Sequence, residues 1–173
     1  MSHPQQLAFV ASVEAKFPEC FTGCRVLEVG SLNINGTVRD HFTDCFYVGV
    51  DLAQGPGVDV ISPGQDLEYP DGDFTTVIST ECFEHNPQWA ETFTNMHRMA
   101  ASLVVFTCAT TGRAEHGTAR SDTYSSPFTA HDNYYRNLTE QDFREAFDLD
   151  AMFSVYEFST NGETCDLYFW GVK

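Results

Sequence analysis

Residues Arg25 to Leu52 constrain the fold of this chain more than any other stretch. A short apolar run, Val26-Leu27-Glu28-Val29, breaks at Gly30 into the polar, turn-prone Ser31-Leu32-Asn33-Ile34-Asn35-Gly36. Val38 and Phe42, four apart, predict a helix over 37–42. A second apolar run, Phe46 to Val50, then ends on Asp51. Strand, glycine turn, helix, strand and acid make a βαβ unit whose turn N–H groups and helix N-terminus face a ligand. The acid lies about 20 residues beyond the turn, where a nucleoside-binding unit places its ribose contact.

The flanking sequence extends this alternation. Pro4, followed by Leu7, Val10, Val13 and Phe17, predicts an N-terminal helix that packs on the sheet or folds over the ligand. Residues 53–57 are too few for a helical crossover, so Val58-Asp59-Val60-Ile61 is predicted as a short parallel edge strand reached by a tight loop. Thr76 to Thr80 reads as a buried strand by its β-branched content, and Glu81-Cys82-Phe83-Glu84-His85 follows it. Asn86 as N-cap with Pro87 at the first helical position predicts a helix burying Trp89, Phe93, Met96 and Ala100. Ser102 to Ala109 is another buried strand.

No periodicity holds over 110–138, a length at which unstructured connections tend to be functional; an active-site loop is expected there. Thr139 to Asp142 forms a capping box for a helix with Phe143, Ala146 and Phe147 inward. Ala151 to Tyr156 and Thr164 to Trp170 flank Asn161-Gly162, a hairpin signal. The expectation is one α/β domain over 1–173, Rossmann-like and doubly wound, with a mainly parallel sheet and an antiparallel C-terminal hairpin strand.

Charge narrows the partners. Nine Lys+Arg stand against 25 Asp+Glu, a formal net charge of -16, which repels nucleic-acid backbone and anionic lipid. A saline habitat would produce the same surface. The start of the chain lacks a basic region, and no apolar stretch reaches the ~18 residues of a membrane span, so a soluble, cytoplasmic protein is expected. With nothing pointing to secretion, the six cysteines are expected as thiols. Cys20 and Cys24 lack the second tight pair of a structural zinc site, and no metal is expected.

Four segments in order resemble a known family: Val26-Leu27-Glu28-Val29-Gly30-Ser31, the strand-end Asp51, Asp66-Leu67 before a Pro-Asp-Gly turn, and Val77 to His85. They look like successive motifs of class I S-adenosylmethionine-dependent methyltransferases, most similar to the small-molecule branch related to the ubiquinone-biosynthesis type. The resemblance implies S-adenosylmethionine as cofactor and a small-molecule acceptor, with no nucleic-acid or membrane partner. It places the methionine part on the Glu28–Gly30 loop with Ser31, the ribose on Asp51, and the adenine against Leu52, Gln65, Asp66 and Leu67. Ser79 and Thr80 would lie under the sulfonium. Asn35 is either a further contact or, with Gly36, only a turn. Pro63 stands where many members carry an Asp for the adenine amine, and Met99-Ala100-Ala101-Ser102 replaces the usual Pro-Gly-Gly turn.

The acceptor side is expected to come from the N-terminal helix and the 110–138 loop, with Glu81. His85 and His116 are the candidates for a general base, although His85 at a helix start also suits local bonding. Tyr134 and Tyr135 either touch the acceptor or pack the loop down. Arg113, Arg120 and Arg136, with His116 and His131, make this loop basic on an acidic body, a clamp for an anionic or sugar-like acceptor unless the arginines pair with surface acids. Two other functions stay open: a non-catalytic nucleoside-cofactor-binding protein or subunit, and an NAD-dependent oxidoreductase, for which the G-x-G-x-x-G is absent.

Overall fold

The computed structural model describes residues 3–173. Seven strands form one sheet: β1 Arg25–Val29, β2 Phe46–Asp51, β3 Val60–Ile61, β4 Phe74–Thr80, β5 Ala100–Ala109, β6 Val155–Asn161 and β7 Asp166–Val172. Their order is β3-β2-β1-β4-β5-β7-β6; β1 to β5 are parallel, and β7 runs antiparallel to both β5 and β6. The sheet is the mainly parallel, doubly wound one expected, including the short edge strand β3.

Strands covered on both faces read as apolar runs, and here alternate residues serve two cores. On one face Leu27, Val29, Val104, Phe106 and Phe169 pack against helices α2 (Trp89–Met99), α3 (Glu140–Ala146) and the single turn α4 (Leu149–Met152). Phe106 stacks between Phe143 and Phe169, with ring centroids 4.6 and 4.9 Å away. On the other face Val26, Ile78, Leu103, Val105 and Trp170 meet Val10 and Val13 of α1 (Pro4–Lys16). The N-terminal helix is therefore a sheet-packing element.

Several local expectations are corrected. No α-helix forms over 37–42; a single 3-10 turn, Arg39–His41, stands in its place. Gly36 and the β-branched Thr37-Val38 disfavour a helix, and the Asn33 and Thr37 side chains accept the N–H groups of Gly36 and Arg39 in competing turns. Val38 is nonetheless fully buried and Phe42 stacks on Phe21 at 4.6 Å, so the apolar spacing reports packing without helix. Helix α2 begins at Trp89, not at Pro87; the Asn86 side chain accepts the Gln88 N–H one turn earlier. Ala146 is exposed. Residues 151 and 152 belong to α4, which Asp148 caps, and β6 starts only at Val155. Among the described residues no helix is long and apolar enough to cross a membrane.

Candidate functional site

From β1 the chain builds outward to β2 and β3, then returns to place β4 on the other side of β1. Such a reversal leaves a crevice outside the carboxyl ends of the strands, where open α/β sheets bind ligands. A cavity of about 260 Å³ lies there, lined by Val29 and Gly30 at the end of β1, Asp51 and Leu52 at β2, residues 62–65, Glu81 and Cys82 beyond β4, and residues 85–88. Residues 125–129 of the long loop roof it. The volume is near the lower end of the roughly 300–1,000 Å³ usual for small-molecule pockets.

Gly30 makes this floor possible. Its φ is +81°, and a Cβ there would stand 2.7 Å from Cys82 Cβ. Its N–H and that of Ser31 both donate to the Val50 carbonyl, tying the turn to β2. At the β2 tip the Asp51 carboxylate accepts the Leu32 N–H at 2.9 Å and the Leu52 N–H at 2.8 Å, one on each oxygen. Burial raises its pKa, and those two N–H groups oppose the shift. Each oxygen keeps acceptor capacity toward the cavity.

The far end of the cavity is chemically unusual. Glu81 sits in the left-handed region, φ +52°, a conformation that non-glycine residues adopt rarely and mostly where surrounding structure enforces it. Its N–H donates to Thr107 O at 2.9 Å, and one carboxylate oxygen lies 3.7 Å from Arg113 Nη2. Glu84 is fully buried beside Glu81, a second buried acid. Burial raises the pKa of both acids. His85 lines the cavity, while burial and the neighbouring His116 push its pKa down to about 3, so it is neutral with a free lone pair. The His85, His116 and Tyr135 rings form a mutual cluster with centroids 5.0 to 5.5 Å apart. Glu84, His85 and His116 each offer one ligand atom, all within 4.8 Å of one another; His3, Glu81 and Asp166 form a second such group behind them. In that second group His3 Nε2 meets Asp166 at 2.8 Å, and Arg113 bridges Asp166 and Glu81.

No protein-family model and no curated protein matches this sequence. Solved structures do match. The YcgJ protein from Bacillus subtilis superposes over 99% of both chains at 12% identity and a TM-score of 0.62. The magnesium protoporphyrin IX methyltransferase from Synechocystis PCC 6803, solved with S-adenosylmethionine bound, matches 98% of this chain and 78% of its own, at 14% identity and a TM-score of 0.58. The 4+2 cyclase SpnF matches 92% of this chain and 61% of its own, at 15% identity and a TM-score of 0.58. This chain has the class I methyltransferase fold. At such identities the likeness concerns architecture only; reaction and ligand must be argued from the site.

Within the class I fold the sequence-derived residues divide. Gly30, Asp51, Leu52, Gln65, Glu81 and His85 line the cavity together; His116 and Tyr135 stand directly behind His85. Ser31, Asn35, Asp66, Leu67, Ser79 and Thr80 are not among its lining residues. Leu67 belongs to the core, and Ser79 Oγ donates to the Val29 carbonyl, joining β4 to β1. Glu28 is also displaced from the site: it is buried on the α1 side of the sheet and accepts the Tyr47 hydroxyl at 2.9 Å. The expected arginine clamp is spent inside the chain. Arg113 pairs with Asp166 and Glu81, Arg120 with Glu115, and Arg136 with Asp142. Tyr134 is partly buried and outside the lining. Sequence reading missed Leu32, Ile34, Ser62, Cys82 and Phe128 as lining residues. Only the aperiodic 110–138 loop carried a signal, and it did not single out Phe128.

Burial raises the Glu28 pKa to about 7, with the Tyr47 hydrogen bond opposing the shift. A carboxyl raised in the folded state contributes its stability below its unfolded pKa of 4.5 and loses it as pH rises through 7. Glu28→Gln keeps an acceptor for Tyr47 and has no charge to bury. It is therefore expected to be more stable than the unaltered protein at pH 8, by up to about 3 kcal/mol, and no more stable at pH 4. Urea unfolding at the two pH values checks this; an equal effect at both would show that Glu28 ionisation is not coupled to folding.

Proposed function

We propose that this chain is an S-adenosylmethionine-dependent methyltransferase acting on a small-molecule acceptor. One observation carries the reading: the Gly30 turn and the Asp51 carboxylate share the floor of one cavity at the point where the sheet reverses its winding. The residues fit such a nucleoside. Asp51 has one acceptor site per oxygen for a vicinal diol, after its two backbone partners are counted. Leu52, 43% exposed on the rim, offers an apolar face for a base, and Gly30 lets backbone approach without a side chain. The similar Synechocystis enzyme holds this cofactor, which supports the assignment.

When bound, S-adenosylmethionine supplies an already activated methyl group, so the protein's tasks are alignment, exclusion of water and proton removal. Residues 125–129 line one side of the cavity and would shield part of a bound cofactor from solvent. His85 lines the cavity where the nucleophile must lie, and its neutral imidazole positions a hydroxyl or amine nucleophile there. His116 and Tyr135 wedge the His85 ring and act through it. The arginines, paired internally, contribute no anion clamp, and the deep end of the cavity is acidic.

Two readings compete. The antiparallel β6–β7 hairpin and the missing G-x-G-x-x-G argue against an NAD-dependent oxidoreductase, whose sheet is mostly parallel. A non-methylating role is favoured by one specific observation, the match to a cyclase. Calorimetric titration of the purified chain with S-adenosylhomocysteine and with NAD is expected to give one site for the first and none for the second. Methyl-labelled S-adenosylmethionine with a panel of small hydroxyl and amine acceptors is expected to yield labelled product. Tight NAD binding without S-adenosylhomocysteine binding would overturn the proposal.

A further inference from the structure

We propose that Glu84, His85 and His116 hold a divalent transition-metal cation at the edge of the cavity. The argument begins with the cost of the arrangement without one. Glu84 is 0% exposed and its carboxyl faces another buried acid, Glu81, with no lysine or arginine paired to it among the described residues, and His85, 5% exposed, has Nδ1 buried and without a hydrogen bond. Buried acceptors left without partners are destabilising, and an unpaired carboxylate more so. No cation of the chain reaches Glu84 within ion-pair distance except through His116, whose Nε2 lies 4.0 Å from Oε1, among the described residues. Arg113, the nearby guanidinium, is turned to Glu81 and Asp166.

The histidines are presented as ligands are. His116 Nδ1 lies 3.1 Å from the Ala114 carbonyl. Donation there fixes the tautomer and leaves the Nε2 lone pair toward Glu84, the outer-shell device that orients metal-bound imidazole. The following residue, Gly117, has φ +64°, and a Cβ on it would stand 2.6 Å from His85 Cε1 and 2.7 Å from Ser126 Cβ. Only glycine lets the loop bring His116 against His85. The three donor atoms lie within 4.8 Å of one another, whereas ligands on a cation at 2.0–2.2 Å sit about 3–3.5 Å apart. Closure by roughly 1 Å completes the shell, within reach of side-chain rotation. Two imidazoles and one carboxylate favour Mn²⁺, Fe²⁺, Co²⁺ or Zn²⁺ over Mg²⁺ and Ca²⁺, which prefer all-oxygen sets.

The site also deepens the methyl-transfer reading, on which this one consequence rests. Of the three ligands His85 lines the cavity, so an acceptor bound there would meet the cation from the His85 side. The acceptor would then carry an oxygen donor that completes the shell and loses its proton more readily there.

The test uses the full chain, stripped with EDTA, exchanged into chelator-free buffer and titrated with MnCl₂ while the electron paramagnetic resonance signal of free Mn²⁺ is recorded. Uptake is expected to saturate at one Mn²⁺ per chain, to be displaced by Zn²⁺ and to resist equimolar Mg²⁺. His116→Ala, a change on a surface loop, and the near-isosteric Glu84→Gln are each expected to weaken binding by about 100-fold or more, with circular dichroism reporting that both variants fold. Absence of saturable uptake, or equal uptake by the unaltered protein and His116→Ala, overturns the proposal. S-adenosylhomocysteine binding measured on the same samples separates the two readings. Mn²⁺ uptake without nucleoside binding supports the cation site and refutes the methyltransferase, and the reverse result refutes the cation site alone.

Discussion

Asp51→Ala is expected to weaken S-adenosylhomocysteine binding by at least about 100-fold while the protein remains folded. Removing the carboxylate deletes two charge-assisted hydrogen bonds to the ligand diol, each worth about 1.5–3 kcal/mol. It also frees the Leu32 and Leu52 N–H groups that now fix the turn against the β2 tip. Asp51→Asn separates these effects, because its amide oxygen can still accept one backbone N–H but its NH₂ cannot accept a sugar hydroxyl. Its melting temperature should lie near that of the unaltered protein, with affinity still reduced. Calorimetry on the three proteins makes the measurement. Unchanged affinity in Asp51→Ala would remove the observation on which the proposed function stands.

Gly30→Ala is expected to lower stability by about 2–5 kcal/mol, from two independent sources. A Cβ at φ +81° carries a backbone penalty of about 1–2 kcal/mol. The same atom would overlap Cys82 Cβ at 2.7 Å and Sγ at 2.9 Å, overpacking that costs about 1–3 kcal/mol. Cys82→Ala in the Gly30→Ala background removes the sulfur contact but leaves the Cβ contact, so it should recover only part of the loss. Full recovery would mean that the backbone conformation at Gly30 is relaxed and not imposed by the fold. Denaturant unfolding of the single and double variants reads both outcomes.

The same two positions show what was legible in the chain. The Gly30 turn and the Asp51 strand end were readable because local patterns specify them: a glycine break after an apolar run, and an acid closing the next one. The mainly parallel, doubly wound sheet followed from alternation of apolar runs with amphipathic segments, and the missing crossover before β3 from simple residue counting. Phe42 shows where spacing misleads. Its four-residue interval from Val38 was a true report of a shared apolar environment, yet turn-forming side chains at Asn33 and Thr37 held the backbone out of a helix. Glu28 misled in the opposite sense. An acid within an apolar run needs a partner, but the sequence could not say that the partner was the Tyr47 hydroxyl on the next strand and not a ligand.

The sequence by itself determined the winding of the sheet, the glycine turn and the acid at the second strand tip, because strand periodicity and turn chemistry act between near neighbours. Only the tertiary structure decided which side chains meet across the cavity. It spent the loop arginines on Asp166, Glu81 and Asp142, and it set His116 beside Glu84 and His85 from some thirty positions away. Those pairings depend on how a long aperiodic loop lies over the strand ends, and a contact between distant residues leaves no periodic trace in the chain.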